Sequence, residues 1–401
     1  MVDCNHKTGA PPFSRLTERI SGPRSREWDI TDRAASMERG GRQIIHLGIG
    51  DPDFDTPKSI VDSAIRHLGE SRTHYAPVPG EIDLRTAIAA EYSTRTGDPF
   101  LYEQVVVFPG AQTALFAAML CLSGPGDEVI LLEPFYATYE GVACGGGANI
   151  VTVPLSEETH FGLDVARVAD AITDKTRVIL TNSPGNPTGA VFAENDWREL
   201  AELCLEKGIW IISDEVYSGL TYDGAYFSPL NIQDARSNVV VVSSVSKSHA
   251  MTGWRLGWAI GPPQLAMHLN TLSQSLVFGV SQFTQDAVTE ALLNPPAEVE
   301  QMKRRFKSRR DCLCDALEKI PELKVHRPGG GMFAMIDVSA LGCDGEQFAN
   351  DLLDQEGIAV VPGFAFGDSA TNCIRIGFLQ DEAVIKKAVE KIARSVGGYT
   401  V

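Results

Sequence analysis

RVILTNSPGNPTGAVFAENDWRELAELCLEKGIWIISDEVYSGL, residues 177–220, decides how the fold is read. It opens on an apolar, β-branched run at 177–180. Two prolines and two glycines in NSPGNPTG (182–189) then force a rigid turn. A helical stretch at 196–207 follows, and a second apolar run at 209–213 ends in Asp214. Runs that stay apolar on successive residues are buried on both faces. Joined by helices, they belong to a largely parallel α/β sheet.

The same alternation extends on both sides. Further runs fall at 104–108, 128–132, 149–153, 239–242 and 256–260, with a helix at 113–122. The expected fold class is therefore α/β, with a mostly parallel seven-stranded sheet sandwiched by helices. From about 300 the texture changes. A charged helix (298–320) leads to strands at 323–326 and 331–338, a helix at 346–356, strands at 358–361 and 373–378, and a last helix. This is a smaller α+β unit. Upstream, 14–40 reads as helix, 44–50 is short and apolar, and Pro57 marks a helix start. The expected division is a tail at 1–13, a segment 14–60 joining the small domain, a large domain at 61–295, and a small domain at 296–401.

Composition narrows the function. With 401 residues and 44% hydrophobic content, the chain can bury a large core. Thirty-five basic against 52 acidic residues give a formal charge of −17, which repels a phosphate backbone, so no nucleic-acid partner is expected. The longest apolar run, 114–122, is far below the roughly 18 residues of a membrane span. The N-terminal residues lack the apolar stretch of a secretory leader, so a cytoplasmic location is expected. Eight cysteines are scattered, and the one close pair, Cys312 and Cys314, is no zinc ligand set. Reduced thiols and no metal are expected.

Four motifs sit at or just past the ends of expected strands, where open α/β sheets bind ligands. In SSVSKSHAMTGWR (243–255), Lys247 follows a strand among hydroxyls, with Arg255 eight residues on. Such a lysine is either a surface loop residue or a buried amine able to form a Schiff base. Ser244 and Lys247 also fit the Ser-x-x-Lys of penicillin-binding enzymes. The Lys-Thr-Gly that motif needs downstream occurs here only upstream, at 7–9, which excludes it. Asp214 ends a strand, where a carboxylate is costly unless it meets a cation, and Tyr217 lies one turn on; a helix cap with a packing tyrosine is the plain alternative. Asn186 offers an amide in the rigid turn. PGAQTALF (109–116) opens a helix whose first N–H groups, at Ala111 and Gln112, can hold an anion, with Thr113 as a cap.

Taken together, LGIGDPDFDTP, YAPVPGEIDLR, PGAQTALF, PFYATY, NSPGNPTG, SDEVYSGL, SSVSKSHAMTGWRLGW and NCIRIGF stand in the order found in one family. The chain resembles the class I aminotransferases, pyridoxal-phosphate enzymes of fold type I that include the aspartate aminotransferases, over residues 14–395. Within them, SKSHAMTGWR and AELC…WIISDEVYS are most similar to the arginine–pyruvate transaminases. The resemblance implies a ping-pong transfer of an amino group from an L-amino acid to a 2-oxo acid, arginine and pyruvate being the pair suggested. It also implies a homodimer with a composite site.

The resemblance assigns roles by position. Lys247 would bond the cofactor and then shuttle the substrate α-proton. Asp214 would keep the pyridine nitrogen protonated, and Tyr217 and Asn186 would hydrogen-bond the ring hydroxylate. Tyr136 would stack on the ring. Arg255, Ser244 and the backbone at Ala111 and Gln112 would hold the phosphate, with help from Ser246. Arg375 would grip the substrate α-carboxylate, Gly50 would let that carboxylate approach the backbone, and Asn186 would border it. Tyr75 would reach the phosphate of the other subunit. Cis bonds are expected at Glu133–Pro134 and Asn186–Pro187. Tyr136 departs from the aspartate-type pattern, where Trp is frequent, and Gln112 stands where some relatives have Lys. The same pocket would also serve another fold type I enzyme such as a carbon–sulfur lyase. A regulator built on an aminotransferase-like domain would carry a DNA-binding module ahead of the family core, and only 13 residues precede it here.

Overall fold

The computed structural model describes residues 13–21 and 29–399. The expected tail at 1–13 lies, apart from Phe13, outside the described residues. Of the helix expected at 14–40, the described parts are two helices, Arg15–Ser21 and Asp29–Arg39. Strand β1 (Ile45–His46) follows, and Pro57 directly precedes helix Lys58–Gly69.

Seven strands then build one sheet: β2 (Val105–Phe108), β3 (Glu128–Glu133), β4 (Asn149–Pro154), β5 (Thr176–Asn182), β6 (Trp210–Asp214), β7 (Val239–Ser244) and β8 (Gly257–Ile260). Their spatial order is β2-β8-β7-β6-β5-β3-β4. The expected α/β sheet is present, and its pairings are parallel except at β8, which is antiparallel to both neighbours. The link from β7 to β8 explains the reversal. It contains only a one-turn helix, Thr252–Trp254, and no crossover helix to carry the chain back for a parallel strand.

Side chains alternate between the two faces of this sheet and fill a core on each. Ile179, Ile211, Val239 and Val241 point one way; Val178, Leu180, Ile212, Val240 and Val242 point the other. The parallel strands bring their carboxyl ends to one edge. There Asn182 pairs with Asp214, and Asp214 with Val242, in direct register.

A second sheet has the order β12-β13-β10-β9, all antiparallel, made of β9 (Lys324–His326), β10 (Phe333–Asp337), β12 (Val361–Pro362) and β13 (Cys373–Gly377). The remaining strand, β11 (Ile358–Ala359), pairs with β1 in parallel. Residues near the start of the chain (Ile30, Ala34, Leu47) share one buried core with Phe306, Ile336, Ile374 and Ile392 near its end.

Two expectations need correction. The single strand at 358–361 is two short strands, because the chain leaves one sheet for another between Ala359 and Val361. The helix at 346–356 is Gly345–Asp351 followed by a π-helical turn, Leu352–Glu356. Glu133–Pro134 and Asn186–Pro187 are cis as expected, and Ser183–Pro184 is cis as well.

Candidate active site

A cavity of about 330 Å³ lies at the carboxyl edge of the large sheet, with the small sheet beside it. It brings together Lys247, Asp214, Tyr217, Asn186, Arg255 and Arg375, from positions scattered over nearly 200 residues. Ala111, Gln112, Tyr136, Ser244, Ser246 and Gly50 also line it.

Lys247 lies in the return between β7 and β8, and its Nζ donates to the Gly50 carbonyl at 2.6 Å. Burial lowers its pKa to about 8, against the opposing pull of Asp51. A neutral amine is therefore accessible near neutral pH, which a surface lysine does not offer.

Asp214 ends β6 and is only 4% exposed. Burial pushes its carboxyl up to about 6, while hydrogen bonds from the Tyr139 hydroxyl (2.6 Å to Oδ2) and the Val216 N–H (3.1 Å to Oδ1) hold it down. The carboxylate thus does cap a turn, but through one oxygen. A buried carboxylate with this environment is built to meet a cation.

Tyr217 is buried, and burial raises its phenol above the ordinary value, with the Asn186 side chain within hydrogen-bond reach. The Asn186 N–H donates to Asn182 Oδ1 at 2.7 Å, and Asn182 Nδ2 donates to the Asp214 carbonyl at 3.0 Å, so the rigid turn is tied to the neighbouring strand. Asn186 Oδ1 in turn accepts from Arg375 Nη1 at 2.8 Å; Arg375 Nη2 donates to the Gly48 carbonyl at 2.6 Å.

The corner of the cavity at Ala111, Gln112 and Arg255 is shaped for an anion. Helix Ala111–Leu122 starts there behind Gly110, whose φ of +83° favours glycine and which caps no N–H with a side chain. A Cβ at Gly110 would overlap Arg255 Nη2. Arg255 itself sits in the left-handed region at φ +53°, held by Nη1 donating to the Thr252 carbonyl at 2.8 Å. The buried hydroxyls of Ser244 and Ser246 complete the corner. Thr113 is not a cap: its hydroxyl donates back to the Pro109 carbonyl at 3.1 Å.

Tyr75 is not brought to this cavity within the chain. It is 83% exposed and makes an edge contact with Phe278. Sequence reasoning missed Tyr139, Asn182 and Phe333, all of which line the cavity. Tyr139 had a visible signal: it lies one turn after Tyr136 in PFYATY, and the two rings meet edge to face at 5.7 Å. The donor set fits pyridoxal phosphate: a low-pKa amine for its aldehyde, a buried carboxylate for its ring nitrogen, an aromatic ring at Tyr136, and an arginine, two hydroxyls and a helix N-terminus for its phosphate.

Comparison with known proteins agrees with the site. The family model for aminotransferase class I and II matches residues 42–392. An arginine–pyruvate transaminase of Pseudomonas aeruginosa is 44% identical over 381 residues, 95% of this chain and 97% of the other. A probable aspartate/prephenate aminotransferase of Aquifex aeolicus is 37% identical, covering 92% of this chain and 94% of that one. The structure of the aspartate aminotransferase from Thermus thermophilus with maleate superposes with a TM-score of 0.91 at 33% identity, over 96% of this chain and all of the other. The chain belongs to the class I and II aminotransferases and is, with them, a pyridoxal-phosphate-dependent transaminase of fold type I.

Proposed function

We propose that the enzyme moves the α-amino group of an L-amino acid to a 2-oxo acid, with arginine as donor and pyruvate as acceptor. The 44% identity to the Pseudomonas aeruginosa arginine–pyruvate transaminase supports that substrate pair. The observation that carries the site assignment is the backbone run 48–50. Its Gly48 carbonyl holds Arg375 and its Gly50 carbonyl holds Lys247 Nζ, so carboxylate grip and amine base are seated two residues apart on one stretch of backbone.

Arg375 takes the substrate α-carboxylate by paired N–H bonds, bordered by Asn186, and Gly50 leaves room for it beside the backbone. Lys247 would hold the cofactor and, once the substrate amine takes its place there, would carry the α-proton on Nζ from the substrate α-carbon to the cofactor's aldehyde carbon. Bound pyridoxal phosphate supplies the electron sink that makes this proton removable. Asp214 keeps the ring nitrogen protonated, and Tyr217 and Asn186 donate to the ring oxygen. Tyr136 covers the ring face. Arg255, Ser244, Ser246 and the N–H groups of Ala111 and Gln112 hold the phosphate.

The same reading makes the active unit a homodimer in which Tyr75 completes the neighbour's phosphate site, and places the enzyme in the cytoplasm. No helix among the described residues is long and apolar enough to cross a membrane. It also divides the chain into a large domain at 61–295 and a small one formed by 14–60 with 296–401; the core shared by both chain ends supports this division.

A single-turnover screen tests the proposal. Holoenzyme is mixed with each amino acid in turn, without acceptor, and the cofactor absorbance is followed. Arginine should give one 2-oxo acid per cofactor and no ammonia. Ammonia release would instead assign a lyase, and a faster donor of different chemistry would replace arginine.

A further inference from the structure

The guanidinium of Arg375 lies over two aromatic rings. Its Cζ is 3.9 Å from the centroid of Phe333 and 4.8 Å from that of Phe366. All three residues are buried. A planar cation over aromatic rings keeps its donors at its edge, and edge bonds to Asn186 and Gly48 are present here.

Phe333 has a second neighbour. A Cβ at Gly50 would come within 2.8 Å of Phe333 Cζ, so the tip of the ring fills the space beside that glycine. The Gly50 carbonyl is the acceptor for Lys247 Nζ. Phe333 opens β10, which pairs along its length with β13, the strand that carries Arg375. One ring from the small sheet therefore abuts both the arginine and the backbone that seats the lysine.

We propose that Phe333 is a positioning residue whose ring fixes the plane of Arg375 and the seat of the 48–50 backbone together, and so makes the enzyme selective for amines that carry an α-carboxylate. The inference rests on the assignment of Arg375 as the carboxylate grip. Without the ring, the guanidinium turns about its Cδ–Nε bond, and the two N–H groups no longer meet both carboxylate oxygens.

Holoenzymes of Phe333→Leu and Phe333→Met, the second closer in volume, test this by steady-state kinetics with folding checked by thermal melting. KM for the amino acid should rise about tenfold or more, and inhibition by propionate, which has the carboxylate without the amine, should weaken by the same factor. The value of kcat should change less than about threefold. The cofactor dissociation constant should stay put, and so should the slow reaction of a primary alkylamine that lacks the carboxylate. Gly50→Ala alone should also weaken propionate binding, and Gly50→Ala combined with Phe333→Leu should recover part of it. KM and propionate inhibition within about twofold of wild type in a folded variant would overturn the proposal. So would an equal loss toward the alkylamine, or no recovery in the double variant. A wild-type enzyme that reacts with no amino acid would instead remove the carboxylate assignment itself.

Discussion

The hydroxyl of Tyr139 donates to Asp214 Oδ2 at 2.6 Å, and both side chains are buried. Burial holds the carboxyl up near 6; this hydrogen bond is the largest influence pulling it back down. In the role proposed for it, Asp214 must be ionised to keep a ring nitrogen protonated. Cofactor binding to the apo-protein should therefore weaken as the pH falls through about 6. In Tyr139→Phe the carboxyl is protonated sooner, so the fall should begin about one pH unit higher. Fluorescence titration of cofactor at stepped pH reads the midpoint; a midpoint that does not move would make Tyr139 a packing residue only.

Asp214 also opposes the stability of the apo-protein. Its folded pKa of about 6 stands above the ordinary 3.8, so between these values the native state holds a proton that the unfolded chain has lost. Stability falls as pH rises through that window and does not return above it. Asp214→Asn removes the slope. The apo variant should gain up to ~3 kcal/mol at neutral pH while losing nearly all transamination. Urea melts of both apo-proteins on the acid and neutral sides check this, and equal stability at neutral pH would contradict it.

Lys247→Ala should abolish the absorbance of lysine-bound cofactor and lower turnover by about three orders of magnitude or more. The wild-type amine carries a further signature. Its pKa is lowered to about 8, chiefly by burial, so its neutral, nucleophilic form grows in as pH rises through 8. The rate at which the apo-protein captures pyridoxal should follow that rise. A rise displaced to the value of a free lysine would mean that the amine is solvated.

Tyr75 predicts complementation between subunits. Tyr75→Phe should raise the cofactor dissociation constant by about one to two orders of magnitude, the worth of a bond to a charged group. In a dimer of one Tyr75→Phe and one Lys247→Ala subunit, one site carries both lesions and the other carries neither. Mixed subunits that exchange should regain activity at low cofactor that neither parent shows. Demonstrated exchange without regain would place a complete site in each chain.

The sheet was legible because its strands are apolar on successive residues and end in the motifs that carry chemistry. Lys247, Asp214 and Asn186 could be picked out as candidates for that reason, and the family resemblance then supplied their roles. Arg375 and Tyr136 needed the family resemblance, since an arginine in a strand or an aromatic near a proline has no distinctive spacing. The reversal of β8 was hidden, because the apolar pattern of a strand is the same in either direction. Partners far apart in sequence were hidden as well. Glu215, beside Asp214, is fully buried against Arg95 at 2.9 Å, a pairing that spans 120 residues and leaves no local trace. The strand at 358–361 was misread because four apolar residues in a row give no sign of a change of sheet.

The order in which the chain is made has a bearing on the cavity. Lys247, Asp214 and Arg255 belong to the first 255 residues, while β13 delivers Arg375 some 120 residues later, and only then can Gly48, made near the start, receive its donor. A nascent or truncated chain that stops before β13 carries the groups assigned to the cofactor without the arginine assigned to grip the substrate. Such a fragment lacks the proposed carboxylate grip, so on this assignment the amine meets its full substrate site only when the two ends of the polypeptide come together.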